Sequence, residues 1–241
     1  MRAESGTREK IARWRPWGAI LLLVALSVAG NGCWSGPDMT AARTTPTGSR
    51  RIALPPPRQT GDAPLEEVIA TRRSVREFTD QELSWEEVSQ LLWSAQGQTD
   101  PRGLRAAPSA GALYPLEVYA ALPDGAYHYL PSQHAVEQVS DMDLREDLWE
   151  AGLKQDALRQ APAVFAIAAV YQRTEAKYGE RAERYVLLEA GHAAQNLLLQ
   201  AVGLNLGAVP IGAFYDDQVV EVLGLPSGHR PLYLIPVGHP R

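Results

Sequence analysis

The sequence predicts a single α+β domain built on a mixed or antiparallel sheet flanked by helices. Three observations lead there. Helical and strand-like segments interleave along the chain without a regular strand–helix–strand repeat, which a doubly wound fold would require. A hairpin signal, Pro123-Asp124-Gly125, sits in the middle of the chain. One long helix over residues 181–204 is apolar on almost every side, as the spine of such a domain would be.

Taken in order, residues 64–71 read as a short helix with Leu65, Val68 and Ile69 on one face. Residues 84–96 form a stronger helix: Ser84 and Glu87 make a capping box, Val88, Leu91, Leu92 and Ala95 line a face, and Gly97 supplies the stop. Residues 117–122 and 127–130 read as strands joined by the Pro123-Asp124-Gly125 turn. Residues 143–153 are an amphipathic helix, and 163–171 are a nearly uninterrupted apolar run, the mark of a central strand. In the spine helix, Val186, Leu187, Ala190, Ala194, Leu197, Leu198 and Ala201 cover more than one stripe, so it is buried on most sides or shared with a second subunit. A strand over 207–211 follows. A helix then starts near Asp216 and Asp217, whose carboxylates suit the positive end of a helix dipole. A strand over 232–237 closes the domain.

The N-terminus reads differently. Arg2, Arg8, Lys10, Arg13 and Arg15, diluted by Glu4 and Glu9, precede an apolar run over residues 17–29, roughly 20 Å long as a helix. That is short for a membrane span and fits a signal-peptide core. Gly30-Asn31-Gly32-Cys33 follows and resembles the box in which a bacterial lipoprotein is cleaved and lipidated on cysteine, with Gly30 where that box usually carries leucine. An uncleaved signal anchor is the alternative. Either way the basic end stays cytoplasmic, and the domain is expected outside, anchored to a membrane. Residues 1–33 are thus expected to be a signal segment with Cys33 as its lipidation site. Residues 34–63, rich in Gly, Ser, Thr and Pro, are expected to be a flexible tether, leaving 64–241 as the folded domain.

The 241 residues are 45% hydrophobic and 21% charged, an ordinary globular mix. A net charge of -5 argues against a nucleic-acid partner. The single cysteine cannot form an internal disulfide, and its isolation removes thiolate zinc sites and iron–sulfur clusters. None of His128, His134, His192, His229 and His239 has metal-ligand spacing, so no metal is expected, and His192 reads as a core or interface histidine. The glycine fingerprint of a dinucleotide fold is not present in the sequence.

Two segments could carry chemistry. In Thr71-Arg72-Arg73-Ser74-Val75-Arg76-Glu77-Phe78, three guanidiniums and a hydroxyl follow directly on a helix, donors whose geometry matches phosphate oxygens. A solvated basic face would read the same way. In Pro108-Ser109-Ala110-Gly111-Ala112-Leu113-Tyr114-Pro115, small residues between prolines would let a backbone approach a flat ligand, or simply turn the chain into the next strand.

Together with Lys177-Tyr178-Gly179, the run from Arg184 to His192 and Ile211-Gly212-Ala213-Phe214, these segments resemble the nitroreductase superfamily, and within it the azoline-oxidising SagB-type dehydrogenases. The resemblance covers residues 65–241. Ordinary nitroreductases carry asparagine where this chain has Ala112, which favours the SagB-like branch. The resemblance implies a mixed sheet flanked by helices in an intertwined homodimer, with FMN at the interface. It implies that Arg72, Arg73, Ser74 and Arg76 hold the FMN phosphate, ribityl chain and pyrimidine edge, where a cation stabilises reduced flavin. It further implies that Pro108, Ser109, Gly111 and Leu113 line the isoalloxazine from the second subunit. By the same resemblance, Gly212 and Ala213 bring backbone N–H groups to flavin N5, and Arg241 lies near the phosphate.

Lys177 and Tyr178 fall at the position of that branch's lysine–tyrosine pair, implicated in proton removal. Dehydrogenation takes a proton from carbon while flavin takes the hydride, and a lysine of lowered pKa can act as base. By its neighbours alone (Glu175, Glu180, Glu183) the pair also suits a surface loop. The expected function is an FMN-dependent dehydrogenase of a small-molecule or peptide substrate. The alternatives are an NAD(P)H-dependent nitro or quinone reductase, and a non-catalytic lipoprotein that keeps the flavin fold. A domain outside the cytoplasm has little access to NAD(P)H, which favours the dehydrogenase, and the retained arginine–serine cluster argues against the non-catalytic reading.

Overall fold

The computed structural model describes residues 50–241, so the expected signal segment with Cys33, and the expected tether as far as residue 49, lie outside the described residues. The domain is organised by a seven-stranded sheet: β1 (Arg51–Ala53), β2 (Leu116–Leu122), β3 (Gly125–Leu130), β4 (Ala135–Ser140), β5 (Ala163–Val170), β6 (Gly207–Ala208) and β7 (His229–Gly238). Their order across the sheet is β1-β4-β3-β2-β5-β7-β6, every pair antiparallel.

Strand alternation divides the core in two. On β5, Ala163, Phe165, Ile167 and Ala169 face one way and Val164, Ala166 and Ala168 the other, all essentially inaccessible to solvent. The first set packs under α2 (Trp85–Gln96) and α6 (Ala182–Gly203) through Val88, Leu91, Leu92, Val186, Ala190 and Leu197. The second packs against α3 (Arg145–Ala151), α4 (Asp156–Gln160) and α7 (Asp216–Leu223) through Leu148, Leu158, Val219 and Leu223. Each fully buried leucine contributes about 1.5–3 kcal/mol, so both faces are firmly held.

The capping box of α2 is formed: Ser84 N–H donates to Glu87 Oε2 at 2.7 Å and Glu87 N–H to Ser84 Oγ at 3.3 Å. The hairpin β2–β3 and the central position of β5 match the sequence expectation. Four features depart from it. Residues 50–58, placed in the tether, are fastened to the domain. Edge strand β1 pairs with β4, Leu54 is buried, and Arg58 exchanges backbone hydrogen bonds of 2.8 and 3.0 Å with the Gln90 amide. Strand β4 and the short α5 (Gln172–Tyr178) were not foreseen. In α1 (Leu65–Thr71) only Val68 is buried, while Leu65 and Ile69 stay 61% and 56% exposed. On α6, Leu187 and Leu188 are about half exposed and His192 faces solvent, so the spine is buried along most of its length but not all round. Among the described residues, no helix is long and apolar enough to cross a membrane.

Candidate functional site

The candidate residues fall into two clusters. The first starts where α1 ends. Arg72 N–H closes the helix on Val68 O at 3.0 Å. Arg73 turns Nη1 back onto the carbonyls of Ala70 and Arg72 (3.0 and 2.7 Å), so one arm of this guanidinium serves the helix C-terminus. Ser74 pairs in parallel with Ala208, and Val75 N–H donates to Ala208 O at 3.1 Å. This approach requires glycine at 207, where a Cβ would lie 2.6 Å from the Val75 side chain. The run 72–76 therefore lies along β6, whose chain continues through the Ile211–Leu234 bridge into Gly212 and Ala213.

Donors remain unspent there. The side chains of Arg72 and Arg76 make no hydrogen bond or ion pair with the described residues. Gly212 and Ala213 are exposed and their N–H groups meet no acceptor among the described residues, although Ala213 O takes a 2.9 Å bond from Gln155 Nε2. Free guanidiniums beside free backbone N–H groups suit an anionic ligand with acceptor atoms, and FMN has both a phosphate and a polar ring edge; the residues present fit it. Arg241 meets the far end of this run. Its N–H reaches Glu77 O at 3.3 Å, while its side chain lines a groove with Asp80, Glu82, Arg145 and Asp156.

The second cluster gathers around residues 108–115. Gly111, Ala112 and Tyr114 hold φ of 62°, 56° and 47°, three left-handed residues within four positions. Such strain persists only where the surroundings over-determine it. Here they do, around Tyr114: its N–H donates to Ser109 Oγ at 2.9 Å, its carbonyl accepts from Arg173 Nη1 at 2.9 Å, its hydroxyl accepts from Arg105 N–H at 3.1 Å, and the Arg105 guanidinium lies 4.6 Å over its ring. Arg173 also pairs with Glu117, which His128 Nε2 approaches at 2.7 Å. Burial works to raise the Glu117 carboxyl, but His128 and Arg173 hold it below the usual carboxylate range. Because Arg173 belongs to α5, this pairing fixes that helix over the loop. A Cβ on Gly111 would lie 2.9 Å from Lys177 Nζ and 3.0 Å from the Tyr178 hydroxyl. Two segments far apart in sequence thus meet at a glycine. Among the described residues Lys177 forms no ion pair despite its acidic neighbours in sequence, and the Tyr178 ring packs edge-on against Tyr185 at 4.9 Å. Pro108 is exposed, and Leu113 half-buried.

Beneath the loop lies Glu189, to which the sequence reading gave no role. It is 2% exposed, hydrogen-bonded to Ser109, and its Oε1 has no partner. Burial pushes its carboxyl up to about 7, against the lowering effect of the Ser109 bond and the Arg105 charge. Burial likewise lowers the Arg105 guanidinium, which donates to Gln96 Oε1 at 2.9 Å. The available signal was a lone acid inside the apolar run Val186–Ala190. No hydrogen bond, ion pair or ring contact joins the two clusters within the chain among the described residues. Nor does any group of His, Cys, Asp and Glu there have metal-site geometry.

Comparison with known proteins places this architecture. The model of the nitroreductase family matches residues 69–239. A protein of Methanocaldococcus jannaschii named as a nitroreductase is 45% identical over 180 residues, spanning 72% of this chain and 90% of that one. A solved structure from Ralstonia eutropha, also described as a nitroreductase, superposes with a TM-score of 0.72 at 32% identity, covering 80% of this chain and 90% of the other. A chain of the Escherichia coli microcin synthetase McbBCD complex, solved with truncated pro-MccB17 bound, gives a TM-score of 0.63 at 26% identity, covering 69% and 68%.

Proposed function

The chain belongs to the nitroreductase family, and on that footing we propose that it is an FMN-dependent oxidoreductase of the SagB-like kind, a homodimer that dehydrogenates a small-molecule or peptide substrate at an extracytoplasmic membrane face. The observation that carries this reading is the meeting of Lys177 Nζ and the Tyr178 hydroxyl over Gly111. An ammonium or amine without an acidic partner, set beside a phenol at a strained loop, is equipped to handle a proton. FMN, when bound, supplies a two-electron acceptor for hydride. Arg72 and Arg76 would neutralise its phosphate, Ser74 and the free arm of Arg73 would add donors, and the N–H groups of Gly212 and Ala213 would be available to its polar edge. Lys177 in its uncharged form takes at Nζ the proton that leaves the substrate carbon, and Tyr178 orients that exchange. Pro108, Ser109, Gly111 and Leu113 belong to the cluster that no hydrogen bond, ion pair or ring contact among the described residues joins to Arg72, Arg73 and Arg76. A second subunit would supply one cluster to the other, which supports the dimer.

The test is turnover by the full-length chain loaded with FMN, given a thiazoline-containing peptide and a dye acceptor. Lys177→Ala is expected to lower kcat by roughly 10²–10⁴-fold while FMN remains bound. Equal turnover by the variant would sink the catalytic assignment. A second reading, NAD(P)H-driven reduction of nitro or quinone compounds, draws on the higher identity to the archaeal nitroreductase (45%) than to the microcin synthetase chain (26%). NADPH-dependent reduction of menadione, with the peptide left untouched, decides for that reading.

A further inference from the structure

We infer that Glu189 is a positioning residue: through Ser109, and together with Arg105, it clamps Tyr114 so that the left-handed loop presents Gly111 to Lys177 and Tyr178. This rests on the reading of that loop as part of the flavin and substrate site. The Ser109 hydroxyl has one proton and accepts from Tyr114 N–H at 2.9 Å, so its own proton goes to the Glu189 carboxylate. That places a chain of two hydrogen bonds between the buried helix α6 and the amide of the strained residue. Arg105 holds the same tyrosine from the other end, by its N–H to the hydroxyl at 3.1 Å and by its guanidinium 4.6 Å over the ring. The charges around Glu189 are Arg105 directly, and Glu117 and Arg173 through Arg105. Gln96 Oε1 receives Arg105 Nη1, which fixes the guanidinium from the α2 side.

An acid almost wholly removed from water, with one oxygen unpartnered, is an expensive way to fill a helix face in a core. Alanine, which occupies most of the neighbouring buried positions of α6, would pack there without that penalty. The carboxyl is retained on the side where the loop needs an acceptor. Ala112 and Tyr114 are not glycines, so their φ of 56° and 47° must be held by such contacts rather than by intrinsic preference.

Amide hydrogen exchange in the full-length chain, with FMN affinity measured by fluorescence quenching, tests this. Glu189→Ala is expected to speed exchange at the Tyr114 amide about tenfold or more, with α6 and β2 amides unchanged. The same variant should weaken FMN binding by about tenfold. Glu189→Gln, which keeps an acceptor for Ser109, is expected to restore both to within about twofold. Ser109→Ala breaks the link while leaving the buried acid in place, and should reproduce the Tyr114 effect even if Glu189→Ala does not fold. Unchanged Tyr114 exchange in Ser109→Ala, or exchange that rises equally through α6 and β2 in Glu189→Ala, overturns the clamp. A wild-type chain that takes up no FMN overturns the flavin reading instead, and leaves the exchange measurement to judge the clamp by itself.

Discussion

Arg76 stands exposed and Arg72 half-buried, with no carboxylate among the described residues to neutralise either one. Replacing either with Ala is expected to weaken FMN binding by roughly 1.5–3 kcal/mol, the range for hydrogen bonds to charged groups, as measured by titration calorimetry. Arg73→Ala should also cost helix stability, because its Nη1 caps α1. Unchanged affinity in Arg72→Ala and Arg76→Ala would return the cluster to a solvated face. Glu189 gives a second prediction at this scale. Its native carboxyl sits at about 7 against an ordinary 4.5, so between those values the folded protein binds more protons than the unfolded one. Stability should then fall as pH rises through this window and level off above it. Glu189→Gln removes that titration, and its urea stability should exceed the wild type by up to about 3 kcal/mol at pH 8 and by little at pH 4.5. A constant difference between the two across that range would contradict the raised pKa. The arginines were legible in the sequence because a run of like charges after a helix stands out. Glu189, Arg105 and Arg173 were not, because their role comes from contacts between segments nine to eighty residues apart that no periodicity links.

Among the elements, α6 and α1 carry the unfinished business of the monomer. Leu187 and Leu188 are 49% and 52% exposed, and Leu65 and Ile69 on the neighbouring α1 are more open still. Exposed large apolar side chains at these two places suit burial against the second subunit of the proposed dimer. Leu187→Asp combined with Leu188→Asp is expected to yield a monomer by light scattering, with FMN lost at the same time because the two clusters no longer meet. A wild-type chain that is monomeric while holding FMN would refute the dimer. The same elements show what the sequence could and could not predict. Helix α2 was readable to the residue, since its cap, its stripe and its stop are all local signals. Strand β5 was readable because it is apolar on both faces. Strand β4, with Glu137, Gln138 and Ser140, lacks that signature and is held by pairing with β3 and β1. Helix α5 is short and charged, and owes its place to Arg173 and the buried Thr174. For α6, periodicity foretold burial without telling which sides this chain covers and which it leaves open.

For the molecule as a whole, the docking of residues 51–58 onto the sheet moves the start of the folded domain toward the N-terminus and shortens the expected spacer to residues 34–49. The anchor we propose is Cys33. An acyl chain contributes about 0.8 kcal/mol per buried methylene, so more than one chain on a single cysteine holds a domain of this size firmly. Cys33→Ser is expected to abolish lipidation and the cleavage coupled to it, and to leave FMN binding unchanged, because the residues proposed to hold FMN all lie within 72–241. Membrane fractionation would then show the variant retained only through its uncleaved apolar segment. Mass spectrometry of the wild-type N-terminus decides between the anchors: a chain beginning at a modified Cys33 supports lipidation. An intact N-terminus with an unmodified thiol would replace the lipid by a simple signal anchor. On the topology we propose, with the basic residues before the apolar run kept in the cytoplasm, the flavin domain would lie beyond easy reach of cytoplasmic NAD(P)H. That separation, if the proposed topology holds, would favour a dehydrogenase which hands its electrons to an acceptor outside the cytoplasm.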